Sequence, residues 1–235
     1  MAELSGLSTS LEETDITGLN NMKILLTIIL IIFSLTAQAE TVTLHFINAV
    51  NKYSEDRQTA LRVFRKTKTR VKSELGFIDL KLGRYQEVKM KRDWNYKLNW
   101  KLENPIYTES DRLLTIFERY IDKRPSKQDI VIFLIPTKLA SASGATNKTC
   151  IKNKTYQPIT FITFQTWKHL TDPDSPNLAI LLHELGHDFG ATHDYQNNKS
   201  LMTPYAGMGD AFFNGKHTPT YSTYSINQIN ACFRK

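Results

Sequence analysis

One twelve-residue run, residues 183–194, constrains this 235-residue chain more than any other segment; it reads HELGHDFGATHD. On a helix, His183 and His187 lie one turn apart on the same face, so both imidazoles can reach one ion about 2 Å away. Glu184 then lies beside that ion, where it can take a proton from an activated water instead of binding the metal. The spacing therefore predicts two metal ligands and one general base on a single helical turn.

The residues that follow this turn supply a third ligand. Gly190 suits the left-handed conformation that ends a helix, because it has no Cβ. The chain can then turn sharply and bring His193 to the ion, which leaves the fourth zinc position open, as in catalytic sites. The alternative for HExxH alone is two histidines that happen to share an amphipathic helix. Because Gly190, His193 and Asp194 follow at set distances, the longer pattern favours one catalytic Zn²⁺ per chain.

The residues beyond the third histidine carry a family resemblance. Met202-Thr203-Pro204 begins nine positions after His193. An HExxHxxGxxH pattern followed by a methionine-containing turn resembles the signature of the metzincin zinc proteases. The next residue after the third histidine, Asp194, resembles the adamalysin or reprolysin subgroup of venom and cell-surface proteases. The resemblance implies a reprolysin-like zinc metalloendopeptidase.

The same resemblance implies supporting roles around the three ligands. Asp194 would anchor the active-site turn, and Met202 would form an apolar floor under the imidazoles without binding the metal. The alternative for Met202 is an ordinary core methionine, which physically differs little. Pro204 and Tyr205 would form part of the wall of the pocket that takes the substrate side chain after the scissile bond.

The implied reaction is hydrolysis of internal peptide bonds. Zinc lowers the pKa of its water toward about 7 and polarises the scissile carbonyl. Glu184 would take the water proton and pass it to the leaving amine. The alternative from another class is a secreted binding protein or toxin that keeps the protease fold and acts by docking, with little turnover. Every residue that catalysis needs is present, which favours the enzyme.

Hydrophobic periodicity along the rest of the chain indicates an α/β domain. The order β-α-β-α-β before the zinc helix fits an open, twisted, mostly parallel sheet with helices packed on it. The metzincin resemblance adds an antiparallel strand along the cleft, for which residues 159–164 are the candidate, and a peptide could pair with it by its backbone. Strands are predicted at residues 41–50, 78–82, 94–102 and 129–135, and helices at 54–75, 111–124, 176–189 and 226–233. Ser175 is the predicted N-cap of the zinc helix, and Pro176 is its first helical residue.

Within this pattern, residues 94–102 alternate strictly between aromatic or leucine side chains and asparagine or lysine. Interleaved aromatic and lysine residues could instead serve nucleic-acid stacking. The aromatic side has the period of a sheet core, so we expect a half-buried strand and no nucleic-acid partner.

Residues 22–39 have the features of a secretory signal. Met22-Lys23 precede an apolar run over residues 24–35, and small residues lead to Ala39. The run is too short to span a bilayer comfortably; a signal anchor is the alternative. Residues 1–21 form a polar lead, which makes Met22 a candidate start of translation. We therefore expect residues 1–39 to be removed on secretion and residues 40–235 to form one extracellular catalytic domain.

The chain has two cysteines, Cys150 and Cys232. In an oxidising compartment one disulfide is the simplest account, and two free buried thiols are the alternative. The pairing resembles a disulfide of adamalysin catalytic domains. Sequons at Asn147, Asn153 and Asn198 fit a secreted glycoprotein.

The charge balance is basic, with a formal net charge of +7. Residues 1–39 hold four acids, Glu3, Glu12, Glu13 and Asp15, and one base, Lys23, so their removal would raise the charge to +10. Such a charge favours contact with acidic polysaccharide, cell surfaces or acidic proteins; solubility is the alternative explanation. The expected partners are protein or peptide substrates of the extracellular matrix or host plasma, and the expected state is a monomer.

Two departures qualify the resemblance. Adamalysins carry a pro-region whose cysteine blocks the zinc, whereas here the catalytic domain is expected to begin directly after the signal. Residues 41–50 lack the acidic residue that the family's structural calcium uses, so calcium is not predicted. The remaining histidines have no ligand spacing and are interpreted as ordinary polar residues: His45, His169 and His217.

Overall fold

A computed structural model describes residues 39–49, 54–88, 125–126, 128–136, 144–146, 150–152, 158–164, 175–204 and 219–234. The chain divides into two units, Met1–Ala39 and Glu40–Lys235, and every element below belongs to the second. Among the described helices, none has the length and apolar character needed to cross a membrane. The predicted strand at residues 94–102, the predicted helix at 111–124 and nearly all of the predicted signal lie outside the described residues.

A mixed sheet forms the centre of the described domain. Its strand order is β2-β1-β3-β5-β4, and neighbouring strands are parallel except for β4, which runs antiparallel to β5. This arrangement confirms the predicted α/β class with a mostly parallel sheet. The strands are β1 (Glu40–Asn48), β2 (Ile78–Glu87), β3 (Ile130–Pro136), β4 (Gly144–Thr146) and β5 (Ile159–Phe164).

The middle strand explains why the sheet is parallel. Strand β3 reads IVIFLIP, and its residues from Ile130 to Ile135 are at most 1% exposed. A strand with apolar side chains on both faces needs cover on both sides, which suits the interior of a parallel sheet. Strands β1 and β5 flank it, so the most apolar strand occupies the centre.

The position of residues 159–164 in the sheet differs from the sequence prediction, which was wrong here. They were expected to form the antiparallel strand at the cleft edge, but β5 lies inside the sheet and pairs parallel with β3. The physical reason is its composition: ITFITF has apolar or threonine side chains on both faces, and the described ones are buried. The antiparallel strand at the end of the sheet is instead the three-residue β4.

Three helices complete the described fold: α1 (Ser54–Glu74), α2 (Ser175–Asp188) and α3 (Thr223–Phe233). Helix α1 buries Val63, Thr67 and Val71, which are spaced one turn apart. Helix α2 packs against α1, β4 and β5. Helix α3 begins after Ser222, whose hydroxyl accepts a hydrogen bond from the Ser225 backbone N–H.

The segment before α3 is tied to both longer helices. The Tyr221 hydroxyl donates to the Leu182 carbonyl of α2 at 2.5 Å, and its backbone N–H donates to Glu74 of α1 at 2.8 Å. Arg70 of α1 also donates to the Pro219 carbonyl at 2.8 Å. These bonds connect α2 with α1 through the segment before α3.

A disulfide between Cys150 and Cys232 joins the segment after β4 to α3. The two residues are 82 positions apart, so the bond closes a loop that contains the whole of α2. Long closed loops restrict the unfolded chain most in the chain-entropy model. The bond therefore stabilises the folded domain by restricting the unfolded chain over the segment that carries the histidine motif.

Replacing both cysteines by alanine (Cys150→Ala with Cys232→Ala) is expected to lower the free energy of unfolding by about 4 to 5 kcal/mol, the chain-entropy value for a loop of this length. Urea unfolding of wild type and variant at one zinc concentration measures the difference. Equal unfolding midpoints would show that the bond does not form or does not restrict the unfolded chain.

Candidate metal centre

Three imidazoles converge at the end of α2. His187 Nε2 lies 3.2 Å from His183 Nε2 and 3.2 Å from His193 Nε2. The three rings offer ligand atoms that all lie within 4.8 Å of one another. Two nitrogens held about 2.0–2.1 Å from a tetrahedral zinc would be about 3.3 Å apart. The residues therefore fit a zinc ion, and the structure brings together the three ligands that the sequence predicts.

Backbone carbonyls determine which ring nitrogen faces this point. His183 Nδ1 lies 2.6 Å from the Leu201 carbonyl oxygen, and His187 Nδ1 lies 2.8 Å from that of Ala191. A carbonyl oxygen only accepts, so each Nδ1 must carry the proton and donate it. The lone pair is then on Nε2, which is the atom turned toward the other two rings.

The end of α2 delivers the third histidine. Gly190 has a φ of 107°, the left-handed conformation expected there. Its N–H donates to the His187 carbonyl at 2.9 Å, and the Ala191 N–H donates to the Gly186 carbonyl at 2.8 Å. This pair of bonds is the Schellman arrangement that ends helices at glycine. It reverses the chain within three residues and places His193 beside the helix it has just left.

Asp194 holds the loop that follows. Its buried carboxylate accepts from the backbone N–H groups of Gln196 and Asn197, each at 3.2 Å, and from the Ser222 hydroxyl at 2.7 Å. Its own N–H donates to the Met202 carbonyl at 2.8 Å. The aspartate thus links the third ligand to α3 and to the segment around Met202, in keeping with the anchoring role that the resemblance implies.

Met202 is fully buried against α2. Gly186 lies between His183 and His187 in sequence, and a Cβ at this position would collide with the Met202 sulfur and lie 3.0 Å from the Tyr221 ring. Met202 therefore packs against the helical turn that carries two of the ligands. Its role as a floor under the imidazoles stays an interpretation; Pro204 is half-buried, and Tyr205 lies outside the described residues.

Glu184 is almost completely buried and faces the edge of the sheet. A Cβ at Gly144 of β4 would lie 2.6 Å from Glu184 Oε1, so the strand backbone lies against this carboxyl group. Burial and then the negative charge of Asp188 raise the pKa of Glu184 well above its usual value. A cation held by the imidazoles would oppose both effects.

Burial also acts on the histidines. It lowers the pKa of His183 to about 3, with the nearby His187 contributing, and that of His187 to about 4. Burial lowers the pKa of His193 as well. The imidazoles of His183 and His187 therefore stay neutral well below pH 6.5, in the form that binds a metal.

Sequence reasoning missed Asp188, which lies beside His187 but turns toward the sheet. It is completely buried and accepts hydrogen bonds from Thr146 at 2.6 Å and Thr160 at 2.7 Å. Its position four residues after Glu184 could have signalled a second carboxylate on the buried side of the helix. Of the other histidines, His45 pairs with Asp129 at 3.2 Å in place of joining the cluster, and His169 and His217 lie outside the described residues.

Comparison with known proteins places the fold. The sequence matches no protein-family model and no curated protein. Among solved structures, it is similar to archaemetzincin from Methanopyrus kandleri, with a TM-score of 0.55 and 12% identity over 83% of this chain and 97% of that one. It is also similar to metalloproteinase-II from Bacteroides fragilis, with a TM-score of 0.51 and 14% identity. That match covers 85% of this chain and 55% of the Bacteroides protein.

These similarities show a metallopeptidase fold. The group of three histidines lies at the end of one of its helices, in the segment that the sequence motif identified. Neither similar protein carries the adamalysin name, so the resemblance to that subgroup stays a prediction.

Zinc binding is expected to persist at pH 5.5 in the folded protein, within a few-fold of its affinity at pH 7.5. An ordinary imidazole with a pKa of about 6.5 is mostly protonated at pH 5.5 and must release its proton to bind. The lowered pKa values of His183 and His187 remove most of that competition. Equilibrium dialysis measures the affinity, with a peptide of residues 183–194 as the control that should lose zinc near pH 6.5. Loss of zinc from the folded protein near pH 6.5 would contradict the expectation.

Proposed function

We propose that this chain is a zinc-dependent endopeptidase that hydrolyses internal peptide bonds. The observation that carries the proposal is the cluster of three Nε2 atoms, each 3.2 Å from the next along the chain, beside the buried Glu184. Three ligands leave a fourth position for water, as a catalytic zinc requires. The metallopeptidase fold supports the same activity.

The three histidines and Glu184 would have different roles in the reaction. His183, His187 and His193 would hold the zinc, which when bound makes water more acidic and polarises a carbonyl. Glu184 accepts the proton of the attacking water on its carboxylate and returns it to the amine that leaves. Because this carboxyl group is buried against β4, proton transfer occurs away from bulk water.

The substrate is expected to lie along β4. Within the described sheet, β4 is an end strand with β5 as its one neighbour. An extended peptide can add to such a strand through backbone hydrogen bonds. Since β4 lies against Glu184 at Gly144, a peptide paired with it would pass close to the proposed base.

The finer assignment belongs to the same proposal. A secreted, reprolysin-type enzyme with extracellular protein substrates is supported by the signal-like residues 22–39 and by the HExxHxxGxxHD pattern. The Cys150–Cys232 disulfide suits an oxidising compartment, and the exposed Asn198 suits a secreted surface. Asp194 and Met202 would support the site as they do in that subgroup.

Changing Glu184 to glutamine is expected to lower kcat/KM on an unfolded protein such as casein by about 10²- to 10⁴-fold, the usual contribution of a general base. Bound zinc should stay equimolar, because no ligand is changed. The control is Glu87→Gln, an exposed carboxylate at the opposite edge of the sheet, which should keep wild-type activity.

Three outcomes distinguish an endopeptidase from a docking protein and from a chain without a zinc site. Chelator-sensitive cleavage that Glu184→Gln lacks supports the endopeptidase. Equimolar zinc without cleavage of any protein by the wild type would favour the docking protein. Absence of zinc binding would remove the site assignment itself.

Contact with an acidic polysaccharide forms a second part of the proposal. Helix α1 carries seven basic residues over 21 positions. Arg62, Arg65 and Lys72 are exposed and lie on one stripe, three and seven residues apart, opposite the buried Val63 and Val71. A row of exposed basic side chains complements a linear anionic polymer, whose charges also repeat along one direction.

Changing Arg62, Arg65 and Lys72 to glutamine is expected to lower the salt concentration that elutes the protein from immobilised heparin. The matched control changes three exposed basic residues elsewhere, Lys81, Lys199 and Arg234, and loses the same charge. A clearly larger shift for the α1 variant supports a binding surface on α1. Equal shifts would show that retention reflects net charge alone.

A further inference from the structure

Asp188 connects the helix of the histidine motif to two strands at once. The Thr146 hydroxyl of β4 donates to its Oδ1 at 2.6 Å, and the Thr160 hydroxyl of β5 donates to its Oδ2 at 2.7 Å. Its backbone carbonyl accepts from the Ile151 N–H at 2.7 Å, in the segment that follows β4. A buried acceptor left without such partners is unfavourable, so both bonds stabilise this arrangement. The carboxylate is therefore a firm attachment point for both strands.

Strand β4 needs such an attachment more than β5 does. It has three residues, all half-buried, and its described ladder runs to β5 alone. Short strands at a sheet end have few backbone bonds to hold them. In contrast, β5 is bonded on both sides, to β3 and to β4. Losing one side-chain bond should therefore free β4 and leave β5 in place.

Both ends of β4 meet α2. Gly144 lies against Glu184, and Thr146 is bonded to Asp188. Glu184 and Asp188 are four residues apart, about 6 Å along a helix, and Gly144 and Thr146 are two residues apart, about 6.6 Å along a strand. These two spacings match. The strand thus runs beside one turn of α2. At one end Thr146 is hydrogen-bonded to Asp188, and at the other Gly144 has no Cβ, which lets the strand backbone contact Glu184.

We propose that Asp188 is a positioning residue, which holds β4 through Thr146 so that a peptide paired with β4 is aligned with Glu184. This inference rests on the proposed peptidase function. Asp188 itself does not touch the substrate. It stabilises the ordered form of β4, so that a bound peptide need not supply the free energy for that ordering.

The two threonines provide a matched pair of variants. Thr146→Val and Thr160→Val each replace a hydroxyl by a methyl group of similar size, and each removes one hydrogen bond to the same carboxyl group. The Thr146 hydroxyl also lies 3.3 Å from the Ile159 carbonyl oxygen of β5, a longer contact than its 2.6 Å bond to Asp188. Both should lower stability to a similar degree. Thr146→Val alone is expected to raise KM for a peptide long enough to pair with β4 by about tenfold, with kcat changed much less. Thr160→Val should leave KM within about twofold of wild type, because β5 keeps its neighbours on both sides.

A second measurement does not depend on activity. In the zinc-loaded full chain, Thr146→Val is expected to speed hydrogen exchange of the amides at residues 144–146 about tenfold, and Thr160→Val to leave them near the wild-type rate. Thr146→Ser keeps the hydroxyl and should rescue both exchange and KM toward wild type. Because exchange needs no turnover, an inactive wild type would overturn the proposed function while the attachment of β4 is still tested.

The two measurements decide the inference. Faster exchange at residues 144–146 and a raised KM in Thr146→Val alone would support it. Equal effects of the two valine variants would show that Asp188 is a core carboxylate without a positioning role. Loss of protection and raised KM in Thr146→Ser would also overturn it, since that variant keeps the bonding group.

Discussion

Two hydrogen bonds from imidazole Nδ1 atoms to backbone carbonyls determine the rest of this site. The carbonyls belong to Leu201 and Ala191, which lie outside α2. A helix alone can place His183 and His187 on one face, but it cannot select the tautomer or the ring angle. The chain beyond the helix does so, and it can return to the helix because Gly190 adopts a left-handed conformation. The motif therefore includes its loop as much as its helix.

The same region buries two carboxyl groups close to each other. Glu184 and Asp188 lie one turn apart, both buried, and the first effect of burial on Glu184 is to favour its neutral form. Such an arrangement is unfavourable unless each carboxylate has partners, because a buried charge loses its hydration. Two threonines supply partners for Asp188, and a cation at the three imidazoles would supply the opposite charge for Glu184. A cation bound there would therefore contribute both to stability and to chemistry, as is usual where metal binding is coupled to folding.

The sequence predicted what depends on local spacing and failed where distant segments decide. The convergence of the three histidines, the left-handed Gly190 and the bounds of α1 follow from residues a few positions apart, and the apolar run of β3 identified a central strand. The edge strand could not be recognised, because Gly144-Ala145-Thr146 has neither length nor alternation, whereas residues 159–164 carry the stronger β pattern. Asp188 shows the same limit: its partners lie 42 and 28 residues away, and no periodicity connects them. The resemblance to metzincins supplied the existence of an antiparallel strand but not its location.

The contact between Gly186 and Met202 has an evolutionary consequence. Position 186 has no room for a side chain because the Met202 sulfur and the Tyr221 ring fill the space. A lineage that acquired alanine at 186 would gain from a smaller residue at 202, and a lineage that shortened 202 would gain from a side chain at 186. The two positions are therefore expected to covary among relatives, as a compensating pair 16 residues apart in sequence. The glycine within the HELGH pentapeptide thus forms a packing pair with Met202, and substitutions at the two positions among relatives would trace how this turn and its methionine changed together.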